Sequence, residues 1–231
     1  MVTESRTVVG LVLSHQRSNV SRNLEVRMSQ KIRYLRTLAA FALVAAGLLA
    51  WPAIAAAQTV SGEASAVQAN VLGMTTVLAG TGPLADAQDL RDASQDSGSI
   101  LSLGGADVLH AVTGSSVSTW DPSDYVASEA SLADMAIDLA GNSISASFVM
   151  ASAVAPVSGS PTATSEIDDL AINGVPVGVT GEPNQTVWLL GGRVIINEQV
   201  PSSTGTTVNA LHVIVDGVAD VVIGSANAGI Q

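Results

Sequence analysis

SLADMAIDLAGNSISASFVM, residues 131–150, decides the fold class. Its first half places Met135, Ile137 and Leu139 at alternate positions. After the midpoint, Ile144, Ala146, Phe148, Met150 and, further on, Val154 alternate with Ser143, Ser145 and Ser147. A period of two belongs to a strand with one face on a core; a helix needs apolar residues three and four apart. Gly141-Asn142 separates the halves, and glycine supplies the positive φ that a tight hairpin requires. The stretch reads as two antiparallel strands, 128–140 and the run after Asn142, with the face from Ile144 to Val154 turned to the core.

The same device recurs outward from it. Gly191-Gly192 joins Thr186–Leu190 to Arg193–Asn197, and Asp216-Gly217 joins Thr207–Val215 to Val218–Ala226. At the last of these a two-residue turn sets Asp220 opposite Val213, so a longer turn or a bulge also fits and the register stays open. Val60–Leu72 carries Ala64, Ala66 and other small residues on both faces, as in a strand packed closely from two sides. Pro83–Ser97 breaks the strand rule: Leu84, Ala87 and Leu90 are three apart, with Asp86, Asp89, Asp92 and Asp96 on the other side. Pro83 and Gly98 frame a short helix there, although four like charges suit an ordered loop equally well. Ala155–Thr164, rich in Pro, Gly, Ser and Thr, reads as an exposed connection. Neither stretch is long enough to divide the chain. The expectation is one all-β domain over 58–231, an antiparallel β-sandwich or β-roll with at most one short helix near 84–96.

Composition excludes several function classes. The chain has 231 residues, 47% of them hydrophobic, so it is no disordered polar chain. The absence of cysteine removes disulfide scaffolds and thiolate metal sites. A net charge of −11 disfavours nucleic acid, whose phosphates call for clustered Lys and Arg. Seven of the nine basic residues (Arg6, Arg17, Arg22, Arg27, Lys31, Arg33 and Arg36) precede the apolar run Leu38–Trp51, which leads to Ala55-Ala56-Ala57. Basic, apolar and small-residue regions in that order make a secretory signal over 28–57, cleaved before Gln58. An uncleaved span over 38–57 is the rival reading and the only membrane contact the sequence offers. Met28 opens a more conventional signal peptide, so 1–27 reads either as a mis-assigned start or as a working extension. From residue 58 onward only Arg91 and Arg193 oppose 18 acids, a net charge of 2 − 18 = −16. The acids are scattered, which fits a solvated extracellular surface better than cation binding.

No chemistry-bearing motif follows. His110 and His212 are the histidines of the domain, and His212, within Ala210-Leu211-His212-Val213-Ile214, reads as a half-buried sheet residue with one hydrogen bond. G-x-S-x-G, H-x-x-x-H and H-E-x-x-H are absent, which leaves a triad without an elbow and zinc without ligands. Asp121 with Asp124, or Asp168 with Asp169, would give at most an irregular calcium site, and solvated loop charges explain them better. Gly80-Thr81-Gly82 leads into no phosphate loop. Trp120, Tyr125, Phe148 and Trp188 are too few for a carbohydrate platform and are expected in the core. No catalytic, metal or cofactor residue is assigned.

The last third reads as a string of motifs: Pro183-Asn184-Gln185-Thr186, then Val194-Ile195-Ile196-Asn197-Glu198-Gln199, then Val208-Asn209-Ala210-Leu211-His212-Val213, then Asp220-Val221-Val222-Ile223-Gly224-Ser225-Ala226. With Ser61-Gly62-Glu63-Ala64 to Leu72 and Gly82-Pro83-Leu84 at the start, it resembles the choice-of-anchor P family of bacterial exported and surface proteins. The resemblance implies an exported domain fixed to the cell by sorting tails that vary between members, and it carries over no activity and no site residues. The chain departs from the pattern in showing no apolar sorting tail after Ala226, which leaves anchoring open. It also has Asn227 where the family usually has a His near the close, which argues against a His-based metal site there. The expectation is therefore a non-enzymatic secreted or cell-surface protein with a structural or associative role, partnered by itself or by an envelope component. An extracellular binding module for a glycan or protein is the alternative, and a secreted hydrolase comes third.

Overall fold

The computed structural model describes residues 59–231 apart from 96–97, 100–102, 107 and 118–120. The stretch 1–27, the signal segment expected over 28–57 and Trp120 lie outside the described residues. In chain order the strands are β1 (Val60–Val71), β2 (Met74–Gly80), β3 (Leu90–Gln95), β4 (Gly98–Ser99), β5 (Gly104–Ala106), β6 (Val108–Ser115), β7 (Tyr125–Leu139) and β8 (Asn142–Pro156). There follow β9 (Thr162–Asp168), β10 (Ala171–Ile172), β11 (Val175–Pro176), β12 (Gln185–Leu189), β13 (Gly192–Pro201), β14 (Gly205–Val215) and β15 (Ala219–Ile230). No described residue is helical. The expected helical stretch is a turn at 86–88 followed by strand β3, because Asp89 accepts from the Ala85 amide and folds the chain back into pairing with β6.

Two antiparallel sheets form the expected sandwich. The first has the order β12-β13-β14-β15-β1-β2. The second runs β11-β10-β8-β7-β5-β4, with β9 beside β8 and with β6 between β7 and β3. β15 packs over β7 and β8, and the core between the sheets is built from Ala, Val, Ile and Leu. A cross-sheet hydrogen bond runs through it: Ser128 Oγ of β7 donates to the Asn227 carbonyl of β15 at 2.5 Å and receives Thr113 Oγ1 at 2.6 Å. Gly62 leaves the room for this pair, since a Cβ there would stand 2.5 Å from Thr113 Oγ1.

The hairpins form where glycine marks them, shifted by one residue. The β7–β8 turn is Ala140-Gly141 (φ 49° and 84°), and Asn142 is the buried first residue of β8, its amide donating to the Leu139 carbonyl at 3.3 Å. The β12–β13 turn is Leu190-Gly191, with Gly192 already in the strand. At β14–β15 Val215 pairs with Ala219 around a three-residue turn, the longer alternative the sequence allowed. β8 extends to Pro156, so the connection expected over 155–164 shrinks to 157–161.

Each sheet carries a transverse crease. In the first, Asn197 (β13), Ala210 (β14), Gly224 (β15), Ala66 (β1) and Ala79 (β2) form one row that drops out of the pairing ladder without any change of register. Every second strand holds a left-handed residue there: Asn197 at φ 52°, Gly224 at 66°, Ala79 at 44°. In the second sheet the row is Asp134 (φ 50°) on β7, Ser147 on β8 and Asp169 (φ 54°) just past β9. At the row the buried positions change parity. β14 buries Val208 and Ala210, then Leu211 and Val213; β8 buries Ile144 and Ala146, then Val149, Ala151 and Ala153.

The crease corrects the reading of residues 143–154. Phe148, Met150 and Val154 stand on the outer face, because Ser147 and Asp134 interrupt the alternation. The aromatic residues also leave the core: Trp188 is 76% exposed and Tyr125 47%. A core this rich in alanine brings the sheets too close for large rings.

Gly224 is the tightest point of the crease. A Cβ there would meet Ala210 Cβ at 3.2 Å and Val149 Cγ1 at 3.5 Å, on a backbone that L side chains rarely adopt. Gly224→Ala is expected to cost about 1–2 kcal/mol, a fall of roughly 2–8 °C in Tm. Gly178→Ala, in open space, is expected to stay within about 0.5 kcal/mol in the same thermal melts.

Candidate functional site

Inward alternation on both sides of the crease puts residues three apart on the same outer face. On β14 these are Asn209 and His212; on β1, Ser65 and Gln68; on β15, Val222 and Ser225. Glu198 of β13 lies between Asn209 and His212. Its Oε2 receives the Asn209 amide at 2.7 Å and sits 2.8 Å from His212 Nδ1. On the far side of the ring, Asp220 Oδ1 of β15 sits 2.8 Å from Nε2. Ser225 Oγ donates to Asn209 Oδ1 at 2.8 Å, so five side chains from three strands form one chain. Gln68 donates to Ser65 Oγ at 2.7 Å, and Asn227 to Thr207 Oγ1 at 2.8 Å, beside it. Ser65, Gln68, Thr207, Asn209, Ser225 and Asn227 floor an open cleft of about 350 Å³ with Glu63 and Val222 at its sides, next to Glu198, His212 and Asp220.

The geometry limits the chemistry. Each ring nitrogen of His212 faces a carboxylate oxygen, and neither faces a serine hydroxyl. The carboxylates stand on opposite sides of the ring, which keeps them from converging with it on one cation. The expected single partner of His212 is corrected to two. The signal for the second was present in the sequence as Asp220, two residues past the uncertain turn.

The other residues considered for chemistry lie apart. His110 Nε2 is 3.2 Å from Asp92 Oδ1 across β6 and β3. Asp121 Oδ1 receives the hydroxyl of Ser123 at 2.6 Å and its amide at 2.9 Å, bonds that hold its carboxyl below the usual range. Asp124 Oδ2 caps the Asp121 amide, so both carboxylates close one turn. Asp89 is lowered too, first by the Arg91 side chain at 2.7 Å and then by the Ala85 amide. Asp169 receives Ser147 Oγ at 2.8 Å at the second crease, and Asp168 is exposed at the end of β9. Among the described residues no group of three or more His, Asp and Glu is placed to hold a metal ion.

The motif strings of the last third meet here. Asn197 takes the left-handed crease position and donates to the Gly181 carbonyl at 2.9 Å, Glu198 serves the cluster, and Gln199 reaches the Ala163 carbonyl of the opposite sheet at 3.0 Å. Asn209, Ala210 and His212, then Asp220, Gly224 and Ser225, supply the rest. Compared with known protein families, curated proteins and solved structures, the chain matches none.

Glu198 is the hub, with its side chain 19% exposed, against 60% for Asp220. Glu198→Ala strands the Asn209 amide and His212 Nδ1 and is expected to cost about 1–3 kcal/mol in chemical denaturation. Asp220→Asn is expected to stay within about 0.5 kcal/mol.

Proposed function

We propose that the protein is an exported bacterial domain of the choice-of-anchor P kind that acts by association at the cell surface, without a catalytic centre. The observation that carries this reading is the end of the sandwich where five hairpins turn. Leu72-Gly73, Ala140-Gly141, Asn173-Gly174, Leu190-Gly191 and Asp216-Gly217 are tied there by bonds such as Leu72 N to Val218 O and Asn142 Nδ2 to Leu190 O. Turn chemistry favours Asn, Asp and Gly at such tips. Two of them hold leucine instead: Leu72, 74% exposed at φ 49°, and Leu190, 90% exposed. Met74, Val175 and Val218 stand exposed around them. An apolar rim on a strongly acidic domain is suited to contact with another surface, and a left-handed leucine in water is unfavourable without one.

The pairing of His212 with carboxylates at both ring nitrogens, with no serine at either, supports a non-catalytic role, and the N-terminal signal pattern supports export. A second reading, a module that binds a polar ligand such as a glycan, has the amide- and hydroxyl-floored cleft over β1, β14 and β15 in its favour.

Partition of the protein between isolated envelopes and medium tests the associative reading. The native protein is expected with the envelope, and Leu190→Asp in the medium. His212→Ala is expected to leave the partition unchanged. Leu72→Asn is expected to gain about 1 kcal/mol of stability while weakening retention, since asparagine accepts the left-handed turn that leucine resists. Release of native protein and Leu190→Asp alike would overturn the reading.

A further inference from the structure

Both edge strands of the first sheet lack the charges and prolines that keep edges apart, and the left-handed Ala79 stands only at the far end of β2. β2 (Met-Thr-Thr-Val-Leu-Ala-Gly) and β12 (Gln-Thr-Val-Trp-Leu) hold no charged residue and no proline. Edges of the second sheet have them: β11 ends in Pro176, β3 carries Arg91 and Asp92, and β4 is two residues long. On a domain with 18 acids and two bases, two charge-free edges on one sheet are a local exception.

The strand count makes the two edges complementary. Six strands, each antiparallel to its neighbour, leave β12 and β2 running in opposite directions. β2 of one copy laid against β12 of another therefore continues an antiparallel sheet, with the core face on the same side. Continuing the pairing rows of one copy into the next gives an in-register alignment. One row runs Trp188–Arg193–Ile214–Asp220–Asn70–Thr75 and the next Thr186–Ile195–His212–Val222–Gln68–Val77. Extended by one strand, they set Thr75 against Trp188 of the second copy and Val77 against its Thr186. Leu190 then falls beside Gly73 and Leu72. Ten large apolar side chains stand exposed among the described residues, and five of them (Leu72, Met74, Val77, Trp188 and Leu190) lie on or next to these two edges.

We propose that the domain associates head to tail with further copies of itself, β2 against β12, so that the first sheet runs on from copy to copy. This rests on the associative reading and names the partner. A contact between two different patches does not close by itself and yields chains, here advancing roughly 29 Å per copy at the usual strand spacing. The acidic charge opposes assembly, so salt should strengthen it.

Sedimentation of the protein in the form the cell exports, across concentration and at low and high salt, tests the proposal. Native protein is expected to grow in mass with concentration, more so at high salt. Val77→Asp disables β2 and Trp188→Asp disables β12; each variant alone is expected to stay monomeric, and their equimolar mixture to form a species of twice the mass. Val77→Lys and Trp188→Lys serve if either aspartate variant fails to melt cooperatively. A single-edge variant that still dimerises would overturn head-to-tail pairing in favour of like edges meeting. A native protein that stays monomeric under every condition would overturn self-association. Retention of that monomer on envelopes would leave the associative reading standing, and its loss would remove both.

Discussion

The crease is the constraint on which the rest of the sandwich depends. A strand that alternates without interruption keeps one set of side chains inside along its whole length. Here the inward set changes at one row in each sheet, and every strand crossing the row must change with it. In the first sheet two consecutive residues face the core at the row, such as Ala210 and Leu211; in the second, two face outward, such as Ala133 and Asp134. The offsets are complementary, and Gly224 lies against Val149 and Ala151 where they meet. Left-handed residues on alternate strands absorb the change, which is why Asn, Asp and Gly stand in the middle of long strands that would otherwise exclude them.

The polar cluster on the outer face follows from the same geometry. Uniform alternation would set Asn209 and His212 on opposite faces. The crease brings both to Glu198 and leaves Asp220 to take the far side of the ring. These residues thus close a hydrogen-bonded strut across three strands. Buried or half-buried polar groups of this kind are costly unless all are satisfied, and here each has its partner.

Much of the architecture is legible in the sequence, because period two and glycine turns are local signals. Met135, Ile137 and Leu139 are buried as their spacing implies, whereas the Val60–Leu72 segment, expected to be packed from two sides, buries one face and leaves Glu63 and Asn70 exposed on the other. The change of parity is not legible in the same way. Phe148 and Met150 look like core residues, while the true core positions Ala151 and Ala153 are small enough to pass for surface. The clue lay in spacing, since Ala146 to Val149 and Ile196 to Glu198 each break the expected step beside a Ser or Asn. Strand order and the meeting of Glu198, His212 and Asp220 depend on pairing between strands, which residue pattern alone leaves open. Trp188 stands exposed, against the expectation of a core aromatic, because a core so tightly packed with alanine does not admit its ring.

The placement of the two basic residues has a consequence for proteolysis. Proteases of the trypsin type cut only after lysine or arginine, and they need a stretch of chain drawn out into their cleft. Between residues 59 and 231 the eligible bonds follow Arg91 and Arg193 alone, and both residues sit inside paired strands, β3 and β13. Neither bond can be cleaved until its strand leaves the sheet, so digestion must wait on local unfolding. The scarcity of lysine and arginine that makes the domain acidic thus also shields the fold from enzymes of this type.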